Sequence, residues 1–467
     1  MLRLLLVLSI CALLPSVMYA KSNQPSVAFY YNDNLPLVNL QMYDWVVLQT
    51  SMATPRDVQY LNTLKTKPIA YLSLGEVAKS AAEHLQVKRE WILGENNTWG
   101  SSILDWRLPE VQDFLVDFLA KQYWSKGYKG FFIDTLDSYY LTKVGAESPD
   151  EFSLLLTSLI RRLKMRFPKA VILANRGFSS LPEAHGYLDA LVVESLYASY
   201  DNVKKRYIDV PSGNTEWLNS KLQQVKKDYN LPIIVIDYTL SSDTSRRSRI
   251  VNKIEKSGYI PWVSDGHLST LGMSSRNVVS RTVLGIHDWP VEDINKTGFH
   301  RYVVMPIEHL GYLADYAAMS RLPHLDDISH LAGITVYLER TNASSPENKK
   351  LCDWLTEARA TYRMPIFFAG SIPDQESCLT LARVKVAESV APVNFKKSDK
   401  NYGEFQGKMR LKSTEVVDIT LSHNSDTPLL TLSDSKGNEF HPVAITETGG
   451  YAIDPFVFET GFKSNRF

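Results

Sequence analysis

The sequence has no surplus of either charge. It carries 51 Lys and Arg against 51 Asp and Glu. Binding along phosphates needs an excess of Lys and Arg, so a general nucleic-acid binder is excluded and no nucleic-acid partner is expected. Cysteine is scarce, with three residues in 467. Neither Cys-x-x-Cys nor a Cys/His zinc spacing occurs, and the ten His residues include no His-x-x-x-His pair. A dedicated metal site is therefore not expected. There is also no Gly-x-Gly-x-x-Gly run, so neither a nucleotide nor any other cofactor is expected. Internal repeats and low-complexity linkers are absent. Hydrophobic residues make up 44% and charged residues 22%, which excludes a disordered chain, a collagen-like chain and a coiled-coil rod.

Long apolar runs are missing beyond the N-terminus. Arg3 is followed by an apolar stretch from Leu4 to Leu14, then Pro15 and a small-residue end at Ala20. Residues 1–20 read as a secretory signal peptide. No later segment reaches the ~18 apolar residues of a membrane span, so the expected location is periplasmic or secreted, with no span after signal cleavage. An exported compartment permits a disulfide between Cys352 and Cys378. Two buried free thiols fit the sequence as well.

From about residue 26 to 290, short apolar runs alternate with helical patterns. The runs fall at 27–31, 45–49, 68–74, 130–134, 170–175, 190–194, 232–237 and 259–264. Several lack polar alternation, which is how strands buried on both faces read. Eight such strands with crossover helices predict a (β/α)8 TIM barrel over residues 21–295. A doubly wound open sheet would read similarly. A long insertion separates Glu76 from Gly130 and carries Trp91, Trp99, Asp105 and Trp106. Beyond the barrel, residues 296–394 read as a smaller α/β unit, with strands at 301–307, 333–338 and 365–369 and helices at 351–361 and 376–387. Residues 395–467 read as a short β-rich segment.

Polar residues gather where the barrel strands end. Glu76 follows one strand, Asp134 and Asp137 another; Asn175, Glu194, Asp237 and Asp265 close four more. A carboxylate after an apolar run costs desolvation energy unless it is paired or faces a wet cleft. One such residue reads as a salt bridge; a ring of them predicts an acidic cleft. Carboxylates without His, Cys or metal spacing suit acid/base work on an acetal, which needs two carboxyl groups. Asp134 and Glu194 are the expected catalytic pair. Their spatial separation is not readable from sequence, so retaining and inverting outcomes both stay open. Tyr30, Glu76, Asp105, Trp106, Asp137, Asn175, Tyr197, Asp237 and Trp262 are the expected substrate contacts. Trp91, Trp99, Tyr139, Tyr140 and Tyr200 are further candidates for stacking on sugars.

Four segments carry a family likeness: Tyr-Leu-Ser-Leu-Gly-Glu at 71–76, Gly-Phe-Phe-Ile-Asp-Thr-Leu-Asp at 130–137, Asn-Arg-Gly at 175–177 and Val-Val-Glu-Ser at 192–195. Together they resemble the α-1,4-polygalactosaminidase type of glycoside hydrolase. The resemblance implies an endo-acting enzyme on α-1,4-linked galactosamine or N-acetylgalactosamine exopolysaccharide. It also implies partners among exopolysaccharide synthesis and export proteins. By it, Asp134 is the nucleophile and Glu194 the acid/base. Members that also deacetylate carry an Asp and paired-His motif absent here, so hydrolysis alone is carried over. The alternative is a non-catalytic polysaccharide-binding or assembly module of an export machine. The pair Asp134 and Glu194 favours the enzyme, because binding alone requires no such pair.

Overall fold

The structure is a computed structural model that describes residues 24–276, 278–289, 291–338, 346–386, 394–398 and 419–453. The expected signal peptide lies outside the described residues. No helix among the described residues is long and apolar enough to cross a membrane.

Eight parallel strands form the first sheet: β1 (Val27–Tyr30), β2 (Trp45–Leu48), β3 (Lys67–Ser73), β4 (Gly130–Asp134), β5 (Val171–Asn175), β6 (Ala190–Glu194), β7 (Ile233–Tyr238) and β8 (Ile260–Ser264). They pair in chain order, and the Tyr31 N–H donates to Leu268 O at 2.8 Å across the seam beside β8. This is the expected (β/α)8 barrel. Its strands are buried on both faces because residues alternate between barrel interior and helical shell. Phe29, Tyr71 and Phe132 pack together inside, with Phe29 and Phe132 ring centroids 5.2 Å apart. Phe131 instead packs outward on Trp124 and Phe167. The crossover helices supply the outer layer. Pro149–Arg166 buries Phe152, Leu156, Leu159, Ile160 and Leu163, spaced three and four apart on one face.

The insertion after β3 folds into an antiparallel three-stranded sheet of Glu76–Ala78, Ile92–Asn96 and Ser101–Leu104. It is pinned to β4 at Gly75, where an added Cβ would stand 2.1 Å from the Thr135 carbonyl oxygen. Only glycine allows that approach.

A second eight-stranded sheet follows. Its strands are β9 (Thr282–His287), β10 (Leu313–Ala318), β11 (Gly333–Tyr337), β12 (Ile366–Gly370), β13 (Asn394–Ser398), β14 (Thr427–Ser433), β15 (Glu439–Thr446) and β16 (Gly449–Ile453). The order is β10-β9-β11-β12-β16-β15-β14-β13, parallel through β16 and antiparallel beyond. Sheet membership cuts the chain differently from the expected boundaries at 295 and 394. β9 leaves the barrel before residue 295, and the β-rich C-terminal strands complete the α/β unit's own sheet. β9 was not expected as a strand, since its apolar run is short and broken by Gly285. That glycine exists for packing: a Cβ there would meet the Phe299 ring at 2.1 Å.

The strand expected at 301–307 is helical, formed by Phe299–Val304 and Met305–His309. Its β-branched residues suggested a strand, but Phe299, Val303 and Val304 pack together against Tyr337 and Ala369, and that burial overrides propensity. The helix expected at 376–387 stops at Ala382; Arg383 takes a φ of 59° and Val384–Val386 pairs with Ile419–Leu421. A disulfide joins Cys352 to Cys378, linking the helices Pro346–Tyr362 and Glu376–Ala382. The two units meet where Asn32 Nδ2, just after β1, donates to Asp327 Oδ1 at 3.3 Å.

Candidate active site

The carboxyl ends of the barrel strands open into a cleft of about 1300 Å³. Its floor is built by period-two alternation. Tyr31, Tyr71, Asp134, Asn175, Glu194 and Tyr238 all follow interior-facing positions and all line the cleft.

One amide ties the two carboxylates together. Asn175 Nδ2 donates to Asp134 Oδ1 at 2.8 Å and to Glu194 Oε1 at 3.2 Å. The two acceptor oxygens therefore lie within about 6 Å of each other. Each carboxylate has its own phenol as well. Tyr71 donates to Asp134 Oδ2 at 2.7 Å, and Tyr238 donates to Glu194 Oε2. Burial, reinforced by the adjacent carboxylates, pushes both phenols well above their ordinary range, so they remain protonated donors.

Glu194 is pushed up to about 7. Burial is the largest cause, and the charge of Asp134 adds to it. The Tyr238 hydroxyl, Arg176 and Asn175 pull the other way. The site thus holds a carboxyl that is half-protonated near neutrality beside a second carboxylate. A carboxyl group raised in this way suits general-acid chemistry.

Two residues after strand ends hold left-handed backbone: Thr135 at φ 61° and Arg176 at φ 56°. A β-branched residue there costs about 1–3 kcal/mol. Hydrogen bonds hold Thr135 in place: its Oγ1 lies 2.7 Å from Ser73 Oγ and accepts from Gly75 N at 2.9 Å. Arg176 Nη2 donates to the Glu194 carbonyl oxygen, bracing the end of β6.

Glu76 and Asp137 stand on the cleft wall. Glu76 accepts from Asn96 Nδ2 at 2.9 Å and from the Ser101 and Ser138 hydroxyls. Burial raises Asp137 above the ordinary carboxylate range; the Gly177 N–H and Arg176 oppose it, and Asp134 adds to it. Trp99, 64% exposed, lines the cleft from the turn between Ile92–Asn96 and Ser101–Leu104.

Of the expected site residues, the structure brings Asp134, Glu194, Glu76, Asp137 and Asn175 together in the cleft. Six others do not reach its wall. Tyr30 donates to Asn34 O at 2.9 Å on the outer side of β1. Asp105 is spent on Arg107, at 2.9 Å and 2.7 Å. Trp106 is 1% exposed and donates to Leu74 O at 2.8 Å. Tyr197 lies 2.9 Å from Ser257 Oγ with Lys253 over its ring. Trp262 is fully buried against Tyr43. Asp237, with no exposed surface, accepts from the Leu196, Tyr197 and Ala198 N–H groups at 2.6, 2.9 and 3.1 Å. Among the stacking candidates, only Trp99 lines the cleft.

The expectation missed Tyr31 and Tyr71 and took Asp237 where Tyr238 faces inward. In each strand the inward residue is fixed by counting in twos from the strand's buried core, and a one-residue slip exchanges cleft for shell.

Residues 17–280 match the model of glycoside-hydrolase family GH114. The glycoside hydrolase domain of PelA from Pseudomonas aeruginosa is 33% identical, covering 54% of this chain and 99% of that one, with a TM-score of 0.49. Ega3 from Aspergillus fumigatus, solved in complex with galactosamine, is 14% identical over 53% of this chain and 93% of that one, with a TM-score of 0.42. No curated protein matches the chain.

Proposed function

We propose that this chain, which belongs to glycoside-hydrolase family GH114, acts after export as an endo-hydrolase of α-1,4-linked galactosamine or N-acetylgalactosamine polymer, with Glu194 as acid/base and Asp134 as nucleophile. Membership makes it a glycoside hydrolase; sugar and linkage rest on the motif resemblance. One observation supports the roles: the shared Asn175 amide, which keeps the two carboxyl groups within about 6 Å, beside a burial that raises Glu194 to about 7. Retaining pairs stand about 5–5.5 Å apart and inverting pairs about 6.5–9.5 Å apart, so this spacing favours retention.

In the first step Glu194 gives its proton to the glycosidic oxygen, the bond from that oxygen to the anomeric carbon breaks, and Asp134 Oδ bonds to that carbon. In the second, water attacks the same carbon, Glu194 takes the water's proton and Asp134 leaves as a carboxylate. Tyr71 and Asn175 hold Asp134 for in-line attack, and a donor kept in place costs no reorganisation at the moment of reaction. Glu76 and Asp137 place negative charge along the wall, suited to the ammonium of an unacetylated sugar.

The test is digestion of galactosamine polymer by the mature chain, with the first-formed anomer read by NMR. Shortened oligosaccharides with α configuration at the new end are expected. Intact polymer would overturn the substrate assignment, and β products would overturn retention.

A further inference from the structure

A crevice in the second unit takes no part in this chemistry. β9 has β10 on one side and β11 on the other, so the lateral course of the chain reverses at β9. Against β9, β10 and the segment that follows β10, a cavity of about 330 Å³ opens, walled by His287, Asp315, Arg321, Asp327 and His330, with Asn34 of the barrel contributing to one side.

His287 ends β9 and is 1% exposed, yet its Nδ1 meets no hydrogen-bond partner. A buried nitrogen left unmatched is unfavourable, and a ligand hydroxyl that reached it would supply the missing partner. Burial lowers His287 below the ordinary histidine range and takes His330 to about 4. A neutral ring has one donor and one acceptor; the Trp289 backbone engages the His287 ring and leaves Nδ1 unmatched, and a hydroxyl group can match such a nitrogen. Two carboxylates against one guanidinium disfavour an anion. No group of three or more metal-ligating side chains forms among the described residues. The volume suits a single small polar ring at the lower end of ligand-site sizes.

The crevice adjoins the catalytic cleft through one loop. Tyr31 lines the cleft and Asn34 the crevice. Asn32 between them donates to Ser269 O and to Asp327 Oδ1, each at 3.3 Å. We infer that the crevice is a second, non-catalytic saccharide site that takes one amino-sugar unit of the polymer; the identity of that sugar rests on the proposed function.

The test uses the full mature chain carrying Glu194→Gln, titrated calorimetrically with a galactosamine trisaccharide. Two sites are expected. Asp315→Ala and Arg321→Ala, both at exposed positions, and His330→Phe, which fills the cavity, should each remove one site or weaken it at least tenfold. In the active background the same three variants should leave cleavage of short oligosaccharides unchanged and raise KM on long polymer several-fold. A single site, indifferent to all three variants, would overturn the inference. So would tighter binding of inorganic phosphate than of the trisaccharide at the crevice. If the wild-type chain fails to cut the polymer, the proposed function falls, while stoichiometry and variant sensitivity still decide the crevice.

Discussion

Asp237 and Tyr238 are neighbours in sequence and serve opposite sides of β7. Asp237 faces the shell and accepts three consecutive backbone N–H groups from residues 196–198. Tyr238 faces the cleft and donates to Glu194. One residue therefore holds the chain just beyond β6, and the next holds the carboxyl at the end of β6.

Glu194→Gln and Asp134→Asn should each abolish hydrolysis while leaving the fold intact. Both keep side-chain shape and remove the proton donor or the nucleophile. A loss of at least 10³-fold, about 4 kcal/mol of transition-state stabilisation, is expected. Steady-state kinetics with circular dichroism on the same samples decides it; near-wild-type turnover in either variant removes that residue from the mechanism.

Activity should fall as pH rises through about 7, where Glu194 loses its proton. Tyr238→Phe removes a donor that favours the charged form, so this basic limb should shift to higher pH while kcat drops several-fold. A limb that stays in place would show that the falling activity belongs to another group.

Stability should also depend on Glu194 and Asp237, both pushed up to about 7 by burial. Their unfolded values lie near 4, so between about pH 4 and 7 the native state binds more protons than the unfolded one. Stability contributed by these groups is then lost as pH rises across that window. Asp237→Ala removes one such group, flattening the slope, and orphans three N–H groups, which should lower stability by about 1–3 kcal/mol or more. Urea unfolding at pH 5 and pH 8 reads both effects; a variant with wild-type midpoints at both would contradict the role given to Asp237.

A fragment of residues 21–280 should fold and hydrolyse, because every residue lining the cleft lies between Tyr31 and Leu268. A fragment ending at 295 would carry β9 without its partners β10 and β11 and expose an unpaired strand. Size-exclusion chromatography should find the shorter fragment monomeric and the longer one self-associating. A folded but inactive 21–280 fragment would place part of the site in the second unit.

Partly deacetylated polymer should be cut faster than fully acetylated polymer, with the advantage shrinking at high salt. Glu76, buried, and Asp137, half-buried, supply the negative wall, and the part of their field that reaches the wet cleft is screened over about 8 Å at physiological ionic strength. Equal rates on both polymers at low and high salt would leave acetyl contacts as the source of specificity.

The sequence by itself determined eight parallel strands with crossover helices, because eight apolar runs at crossover spacing fit a barrel or a doubly wound sheet, and it placed Asp134, Asn175 and Glu194 at strand ends; closure into a barrel was decided by the tertiary structure. It also held the Cys352 and Cys378 pair without deciding their state. Only tertiary structure decided which neighbour of each strand-end residue faces inward, since Tyr30 and Tyr31, or Asp237 and Tyr238, differ by a single step in an alternation whose phase is set by closing the barrel. It decided that Asp105 and Trp106 belong to packing, because their partners Arg107 and Leu74 satisfy them. It likewise decided that β9 joins the second sheet, since pairing with β10 and β11 is a long-range choice that a short run broken by Gly285 cannot signal locally. And it alone set Glu194 near pH 7, because that value comes from burial and from the charge of Asp134, 60 positions away in the chain.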